Sequence, residues 1–333
     1  MSLFEVGSVA ATETGTGTEA GGEGGGPSAA LAGLASRVPR DVYFGTSSWS
    51  FPGWKGIVYS QARSESQLAR EGLREYAQHP LLRTVGIDRG YYAPIPERDL
   101  RRYSEQLPPG FPCCTKAPEA ITSPIVMAHR GARGGEPNPD FLSFERFQDT
   151  MLGPFARAFR GNAGPFILEF PPVPAANRVA PDAFAERLDA FLERLPRDFT
   201  YVVELRDRRL LTRAYQRVIA RHRVGHTYNY WTAMPLPAAQ LAIVPIDTGP
   251  CAVVRLLLRP GTKYVDRKDD FAPFDKLMAP DAAMRQDVLQ LILSSLGSKI
   301  PIYILVNNKA EGSAPLTIRA LAELLVDRAP SVS

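Results

Sequence analysis

Short apolar runs recur along this chain, and almost every one ends in a polar or charged residue. Longer segments with helical spacing of apolar positions separate most of them. Strands that alternate with helices predict a parallel sheet. Eight such units predict an α/β fold, a single closed (β/α)8 barrel of the TIM type, whose active sites lie at the carboxyl ends of the strands. The eight predicted strands are residues 43–49, 84–88, 112–116, 166–170, 201–206, 224–230, 251–258 and 300–308.

The clearest helical pattern lies in residues 182–195, where Phe184, Leu188 and Phe191 share one face. The longest irregular stretch, residues 117–140, is rich in proline and glycine and follows the third strand. Loops of that length in a compact domain are often functional, and this one would lie on the catalytic face of a barrel. Further helices are predicted over residues 66–78, 97–106, 141–159, 211–222, 284–296 and 318–328.

The amino-terminal segment differs from the rest in composition. Residues 1–40 are rich in Gly, Thr, Ala and Glu and lack apolar periodicity, so we expect a disordered tail followed by a barrel over residues 41–328. The segment has no basic region followed by an apolar core, which a secretory signal would need. No run of about 18 apolar residues predicts a membrane-spanning helix.

Three cysteines are too few for a disulfide framework. Cys113, Cys114 and Cys251 all lie in predicted strands, so we expect buried, reduced thiols. That expectation, with the lack of a signal or membrane segment, favours a cytoplasmic protein.

Several charged residues occupy positions that should face the barrel interior. Side chains alternate faces along a strand, so Glu204 and Arg206 share one face while Val203 and Leu205 share the other. The apolar face should meet the helices, which leaves the charged face inside the barrel. The same argument predicts that Glu169, Arg255 and one of Asn307 and Asn308 also face the barrel interior.

A buried charge needs a partner, because burying it alone costs several kcal/mol. Two interpretations follow. The inward charges form a salt-bridge network that fills the upper barrel, or they bind a polar ligand there, since ionisable groups in a cleft are functional-site candidates. The residues concerned are Asp88, Lys116, Glu169, Glu204, Arg206 and Arg255.

Four segments at the strand ends resemble motifs of one known family, and together they cover nearly the whole chain from residue 43 to residue 325. They are residues 45–49 with 53–54, 116–118 with 121–122, 203–206, and 306–308. On these motifs the chain resembles the YecE-like family, domain of unknown function 72. The resemblance implies a TIM-type barrel and no settled activity. It points to Trp49, Lys116, Glu204, Arg206, Arg255 and Asn308 as site residues.

The chain departs from the usual family motifs at several positions. Where relatives usually have glycine before the first tryptophan it has Ser48, and where they have Gln-Phe-Pro-Pro it has Glu169 in place of the glutamine. Asp88 stands where relatives usually have asparagine, and Leu257 replaces a histidine. These differences indicate a divergent branch of the family.

The residue types suggest roles for each candidate. Glu204 and Glu169 are the acid/base candidates, and such a pair could also serve glycoside hydrolysis. Positive side chains at one barrel mouth suit a carboxylate or phosphate, which a guanidinium binds through two parallel hydrogen bonds. The candidates for holding and orienting a substrate are Trp49, Asp88, Lys116, Arg206, Tyr228, Asn229, Arg255 and Asn308.

Cofactors receive little support from the sequence. None of the four histidines has metal-motif spacing, although His226 could join Asp88, Glu169 and Glu204 around a divalent ion. No glycine-rich phosphate loop of the Walker or dinucleotide kind occurs, so no nucleotide cofactor is expected.

Three hypotheses remain open. The first is a barrel enzyme, a hydrolase or lyase, acting on a small polar, anionic substrate. The second is a non-catalytic binding barrel, in which acids and bases all satisfy one another. The third is a nuclease-like barrel, prompted by the net charge of +4, which requires a positive rim around the mouth.

Overall fold

A computed structural model describes residues 29–262 and 269–328. Eight parallel strands form a closed barrel in which each strand pairs with the next in sequence. The last strand closes on the first through five pairs, from Val42 opposite Ile302 to Thr46 opposite Val306. The predicted fold is therefore confirmed. The strands are β1 Val42–Thr46, β2 Thr84–Ile87, β3 Cys113–Lys116, β4 Ala163–Phe170, β5 Tyr201–Leu205, β6 Gly225–Tyr230, β7 Ala252–Leu256 and β8 Ile302–Val306.

Helices surround the barrel and cover the apolar outer face of the strands. They are α1 Ala29–Arg37, α2 Glu65–Glu71, α3 Leu73–Tyr76, α4 Glu97–Ser104, α5 Glu119–Thr122, α6 Phe144–Phe147, α7 Gly153–Ala158, α8 Pro181–Glu193, α9 Arg213–His222, α10 Pro237–Leu241, α11 Ala282–Gly297 and α12 Ala314–Arg328. A π-helical segment, Gln148–Leu152, joins α6 to α7, so the helix predicted over residues 141–159 is interrupted. No helix within the described ranges is long and apolar enough to cross a membrane.

The helix predicted over residues 66–78 is also divided. Ser64 begins it with a capping box, in which its side chain accepts from the backbone of Gln67 while the Gln67 side chain accepts from the backbone of Ser64. The helix then breaks at Gly72, which separates α2 from α3. Glycine is a poor helix former because fixing its backbone costs more entropy than fixing that of other residues.

The expectation of a disordered tail is wrong for residues 29–40. Helix α1 lies there and packs against α12. Arg83 holds this segment to the barrel, because its Nη2 donates to the carbonyl of Ala35 and its Nη1 to that of Pro39, both at 2.8 Å. The remainder of the predicted tail, residues 1–28, lies outside the described residues.

The lower part of the barrel interior is apolar. Its buried cluster comprises Cys114, Ile167, Val202, Cys251, Val253 and Leu305, with Tyr303 packed against it. All three cysteines are buried as predicted. Burial, opposed by a hydrogen bond with Thr84, raises the pKa of the Cys114 thiol to about 12. The next inward-facing positions, toward the carboxyl ends of the strands, are charged.

Candidate ligand site at the carboxyl ends of the strands

Along each of two strands, one inward-facing position is apolar and the next inward-facing position is charged. Ile167 is followed on the inward face by Glu169, and Val253 by Arg255. Their outward neighbours, such as Leu168, belong to the main hydrophobic core. Because all strands are parallel, the charged positions meet at one end of the barrel. The inward orientation predicted for these charges is thus found in the fold.

Arg255 lies at the centre of the charged layer and is 1% exposed. Its Nη1 donates to Glu169 Oε2 at 3.0 Å and to Glu204 Oε2 at 2.8 Å. Its Nη2 donates to Asp88 Oδ2 at 2.8 Å. One guanidinium therefore connects three carboxylates from three different strand ends.

A second arginine completes the network from the other side. Arg206 donates through Nε to Glu204 Oε1 at 2.5 Å and through Nη2 to Glu169 Oε2 at 2.9 Å. Lys116 Nζ lies 2.9 Å from that same Glu169 oxygen. Three acids and three bases thus balance each other in charge. We call this set the mouth cluster; its members are Asp88, Lys116, Glu169, Glu204, Arg206 and Arg255.

Two aromatic rings cover cations of the mouth cluster. Lys116 Nζ lies 3.9 Å from the centroid of the Tyr91 ring, and the guanidinium carbon of Arg206 lies 4.4 Å from that of Trp231. Both distances are within the range of cation–π attraction. Sequence reasoning missed both aromatic residues. The available signal was their position within four residues of the ends of β2 and β6.

The electrostatics of the mouth cluster keep its central groups ionised. Burial acts to raise the pKa of the Glu169 carboxyl, but the three cations around it outweigh burial and hold that pKa well below its usual range. Burial acts to lower the pKa of Arg255, and the three carboxylates outweigh it and raise that pKa above its usual value. Opposite charges at hydrogen-bond distance favour the charged form of both partners.

Asn229 joins the mouth cluster from β6. Its Nδ2 lies 3.4 Å from Glu204 Oε1 and donates to the carbonyl of Leu205 at 2.7 Å. Gln240, which sequence reasoning missed, holds this strand end by donating to the carbonyls of Asn229 and Pro235, both at 2.7 Å. Asn229 is therefore a fixed support for Glu204.

The loop after β3 lies beside the mouth cluster and is fastened there. Glu119 Oε2 accepts from Arg130 Nε and lies near His129 Nε2, each at 3.1 Å. The ring of His129 packs edge-on against Tyr92, with the centroids 5.9 Å apart. These contacts join the loops that follow β2 and β3.

Three predicted substrate-binding residues make no hydrogen bond with the mouth cluster in the part of the chain that the structure describes. The hydroxyl of Tyr228 donates to the carbonyl of Val244 at 2.8 Å, on the outer face of β6. The indole of Trp49 donates to the carbonyl of Leu68 at 3.0 Å inside the main core. Asn308 lies just beyond the end of β8, where its Oδ1 accepts from Trp54 Nε1 at 3.3 Å and from the backbone of Ala314 at 2.8 Å.

The divalent-ion arrangement that includes His226 does not form. His226 faces outward from β6, with Nδ1 2.8 Å from the hydroxyl of Tyr215 and Nε2 3.3 Å from Gln240 Oε1. Burial lowers the pKa of this histidine to about 4. Within residues 29–262 and 269–328, no three His, Cys, Asp or Glu side chains are grouped so as to hold a metal ion.

Comparison with known proteins agrees with the motifs at the strand ends. The model of one family, described as a protein of unknown function, DUF72, matches residues 43–332. No curated protein matches the chain.

Two solved structures show the same fold. A DUF72 family protein from Thermotoga maritima superposes with a TM-score of 0.56 at 20% identity, covering 85% of this chain and 98% of that one. One from Enterococcus faecalis gives 0.57 at 15% identity, covering 87% and 97%. The resemblance inferred from the strand ends is confirmed, and the chain belongs to the DUF72 family.

Proposed function

We propose that the carboxyl end of the barrel binds a small polar ligand that carries a negative charge. The observation that supports this proposal is the mouth cluster itself, six ionisable side chains gathered at the strand ends. Ion pairs buried this deeply are seldom needed for stability, since apolar replacements of similar volume are often neutral or stabilising. A functional role accounts for charges that stability does not require.

Lys116 and Arg206 are the groups suited to the ligand's negative charge. Lys116 forms an ion pair with Glu169. Because an ammonium has three N–H donors, it can also donate to a ligand. Arg206 donates to Glu204 through Nε and to Glu169 through Nη2. Because a guanidinium has five N–H donors, it can also donate to a ligand. The ring of Trp231 fixes the plane of the Arg206 guanidinium, which leaves less side-chain entropy to be lost on binding.

The protonation state of Glu169 favours binding over acid catalysis. A general acid works best with a pKa near the operating pH. The pKa of Glu169 lies far below that, because three cations surround its carboxylate. In any hydrolysis or lyase reaction at this site, Glu169 therefore serves as an ionised base or as a counter-charge, and proton donation comes from elsewhere.

A thermal-shift screen tests the proposal. The panel comprises inorganic phosphate, glycerol 3-phosphate, glucose 6-phosphate, malate and citrate. A ligand at about 100 times its Kd stabilises the folded state by about 2.7 kcal/mol. That free energy corresponds to a rise in Tm of roughly 4–5 °C for a domain of this size. The account expects at least one panel member to produce such a shift.

Arg206→Gln should abolish the shift, because it removes a positive charge that the ligand contacts. Arg157→Gln is the matched control, since Arg157 is 60% exposed on α7 and pairs with Glu97 there. The proposal fails if no panel member raises Tm, or if Arg206→Gln responds like the control. Retention of single-stranded DNA or RNA at low salt, lost at high salt, would instead favour the nuclease-like hypothesis.

A further inference from the structure

The Arg255–Asp88 ion pair uses only part of its hydrogen-bonding capacity. Arg255 Nη2 donates to Asp88 Oδ2, but Arg255 Nε and Asp88 Oδ1 have no partner in the part of the chain that the structure describes. Both atoms are buried from solvent. One is an N–H donor and the other a carboxylate acceptor, and leaving such atoms unpaired in the interior is unfavourable.

A third unpartnered atom lies on the same side of the barrel. Ser47 Oγ is buried and has no hydrogen-bond partner among the described residues. Ser47 follows Gly45 on the inward face of β1, and its backbone N–H donates to the carbonyl of Val306 at 3.0 Å. A Cβ added at Gly86 would lie 2.9 Å from the carbonyl oxygen of Ser47, so β1 and β2 are in close contact here. Asp88 lies two residues beyond Gly86, on the inward side of the β2 end.

The ion pairs of Glu169 and Glu204 lie at the ends of β4 and β5. Glu204 has both carboxylate oxygens engaged by arginines, and Glu169 Oε2 contacts three cations. On the β1–β2 side, Asp88 Oδ1 and Ser47 Oγ are unpartnered, and Arg255 Nε is the unpartnered donor of the residue that pairs with Asp88. A ligand that enters the mouth gains the most binding free energy where its polar groups form hydrogen bonds with unpaired atoms.

We propose that a hydroxyl group of the ligand binds between Arg255 and Asp88, accepting from Arg255 Nε–H and donating to Asp88 Oδ1, with Ser47 Oγ as its third partner. The inference rests on the proposed function for the place where the ligand binds. A hydroxyl both accepts and donates at one atom, as this site requires. A phosphate or carboxylate oxygen would meet the charge of Asp88 unfavourably, and an ammonium offers Arg255 no acceptor.

The ligand class is thus narrowed to anions that also carry a hydroxyl, such as hydroxy acids and polyol phosphates. The anionic end lies toward Lys116 and Arg206, and the hydroxyl lies toward Asp88. A site built to hydrogen-bond a hydroxyl discriminates strongly against analogues that lack it, because its own buried groups are then left unpaired.

Titration calorimetry with matched ligand pairs tests this inference. Glycerol 3-phosphate is compared with n-propyl phosphate, and malate with succinate. In at least one pair the hydroxylated member should bind at least about tenfold more tightly. Ser47→Ala and Asp88→Asn should each reduce that ratio, whatever they do to the affinity of the deoxy member. Asp198→Asn is the control, because Asp198 is half-exposed and pairs with Arg160 outside the mouth.

The outcomes separate the two proposals. If no member of either pair binds although a member of the thermal-shift panel does, the hydroxyl inference is overturned, and if no panel member binds either, the proposed function fails. If the hydroxylated and deoxy members of a pair bind with equal affinity, the ligand site stands and the hydroxyl inference is overturned. Water would then pair with Arg255 Nε, Asp88 Oδ1 and Ser47 Oγ in both the free and the ligand-bound protein. A hydroxyl preference that persists undiminished in both Ser47→Ala and Asp88→Asn would also overturn it, because the hydroxyl would then be recognised elsewhere.

Discussion

Arg255 and Asp88 meet across the top of the barrel, with 2.8 Å between Nη2 and Oδ2, although the ends of β8 and β1 separate their strands. The two residues are 167 positions apart in sequence. Arg255 also contacts Glu169 and Glu204, so this one side chain connects both sides of the mouth. The ligand site and the packing of the upper barrel therefore depend on the same guanidinium.

Glu204→Gln should destabilise the protein strongly. Glu204 is fully buried and accepts from both Arg206 and Arg255, so its neutralisation leaves an excess of buried positive charge. Removing one partner of a buried ion pair typically costs about 3–5 kcal/mol. Urea unfolding monitored by circular dichroism measures the change. Glu193→Gln, at an exposed position of α8, should change the free energy of unfolding by less than about 0.5 kcal/mol. Equal effects of the two substitutions would contradict the ion-pair account.

Stability should fall as pH drops from about 6.5 toward 5. Burial lowers the pKa of His226 from 6.5 to about 4, so between these values the unfolded chain binds a proton that the folded protein does not. The free energy of unfolding therefore rises with pH across this window and is highest above pH 6.5. The contribution of His226 is about 2 kcal/mol between pH 6.5 and 5, at about 1.36 kcal/mol per unit.

Urea unfolding of wild type and His226→Gln at several pH values between 7 and 5 checks this prediction. The substitution should reduce the pH dependence without abolishing it, whatever it does to stability at pH 7, because burial also lowers the pKa of His79 to about 4. Gln290→Ala, at an exposed and non-titrating position of α11, serves as the control and should retain the wild-type slope. An unchanged slope in His226→Gln would show that another group is responsible.

The native protein should resist thiol reagents. Cys113, Cys114 and Cys251 are all buried, and burial, as the largest influence, raises the pKa of each thiol. The thiolate is the reactive form, so both access and ionisation are disfavoured. Reaction with Ellman's reagent should proceed only at the rate of unfolding in buffer and be complete for all three thiols in denaturant. Rapid labelling of a native thiol would contradict the assigned burial.

Trp231→Ala should weaken anion binding about 3- to 10-fold with little loss of stability. The indole lies over the Arg206 guanidinium, a contact worth about 0.5–2 kcal/mol. Trp231→Phe retains an aromatic face and should recover most of the affinity. Calorimetric titration with the best ligand of the thermal-shift panel measures both variants. If Trp231→Phe binds as weakly as Trp231→Ala, the aromatic contact does not position Arg206.

The barrel and its inward charges could be predicted from sequence because the alternation along a strand is a local property. Glu169, Glu204 and Arg255 were assigned correctly to the interior by their apolar neighbours alone. The partners of each charge could not be predicted, because they depend on the closure of the barrel and on register. The contact of Arg255 with Asp88 spans three strand intervals and has no local signal.

The misplaced residues share a physical reason. Tyr228 and Trp49 carry polar atoms that suit a ligand, but each is satisfied by a backbone carbonyl within the outer layer of helices and loops. Tyr91 and Trp231 lie on loops, where no periodicity indicates side-chain direction. Helix α1 was missed because its alanine-rich sequence carries only two large apolar residues, Leu31 and Leu34, and Arg83, far along the chain, holds it in place.

The most direct measurement is calorimetric titration of the best panel anion into wild type and into the double variant Lys116→Gln/Arg206→Gln. We expect saturable binding at one site per wild-type chain and at least about tenfold weaker binding in the double variant, with Arg157→Gln matching wild type. Equal affinity in all three proteins, or no binding heat with wild type for any panel member, would contradict the claim that the mouth cluster binds an anion.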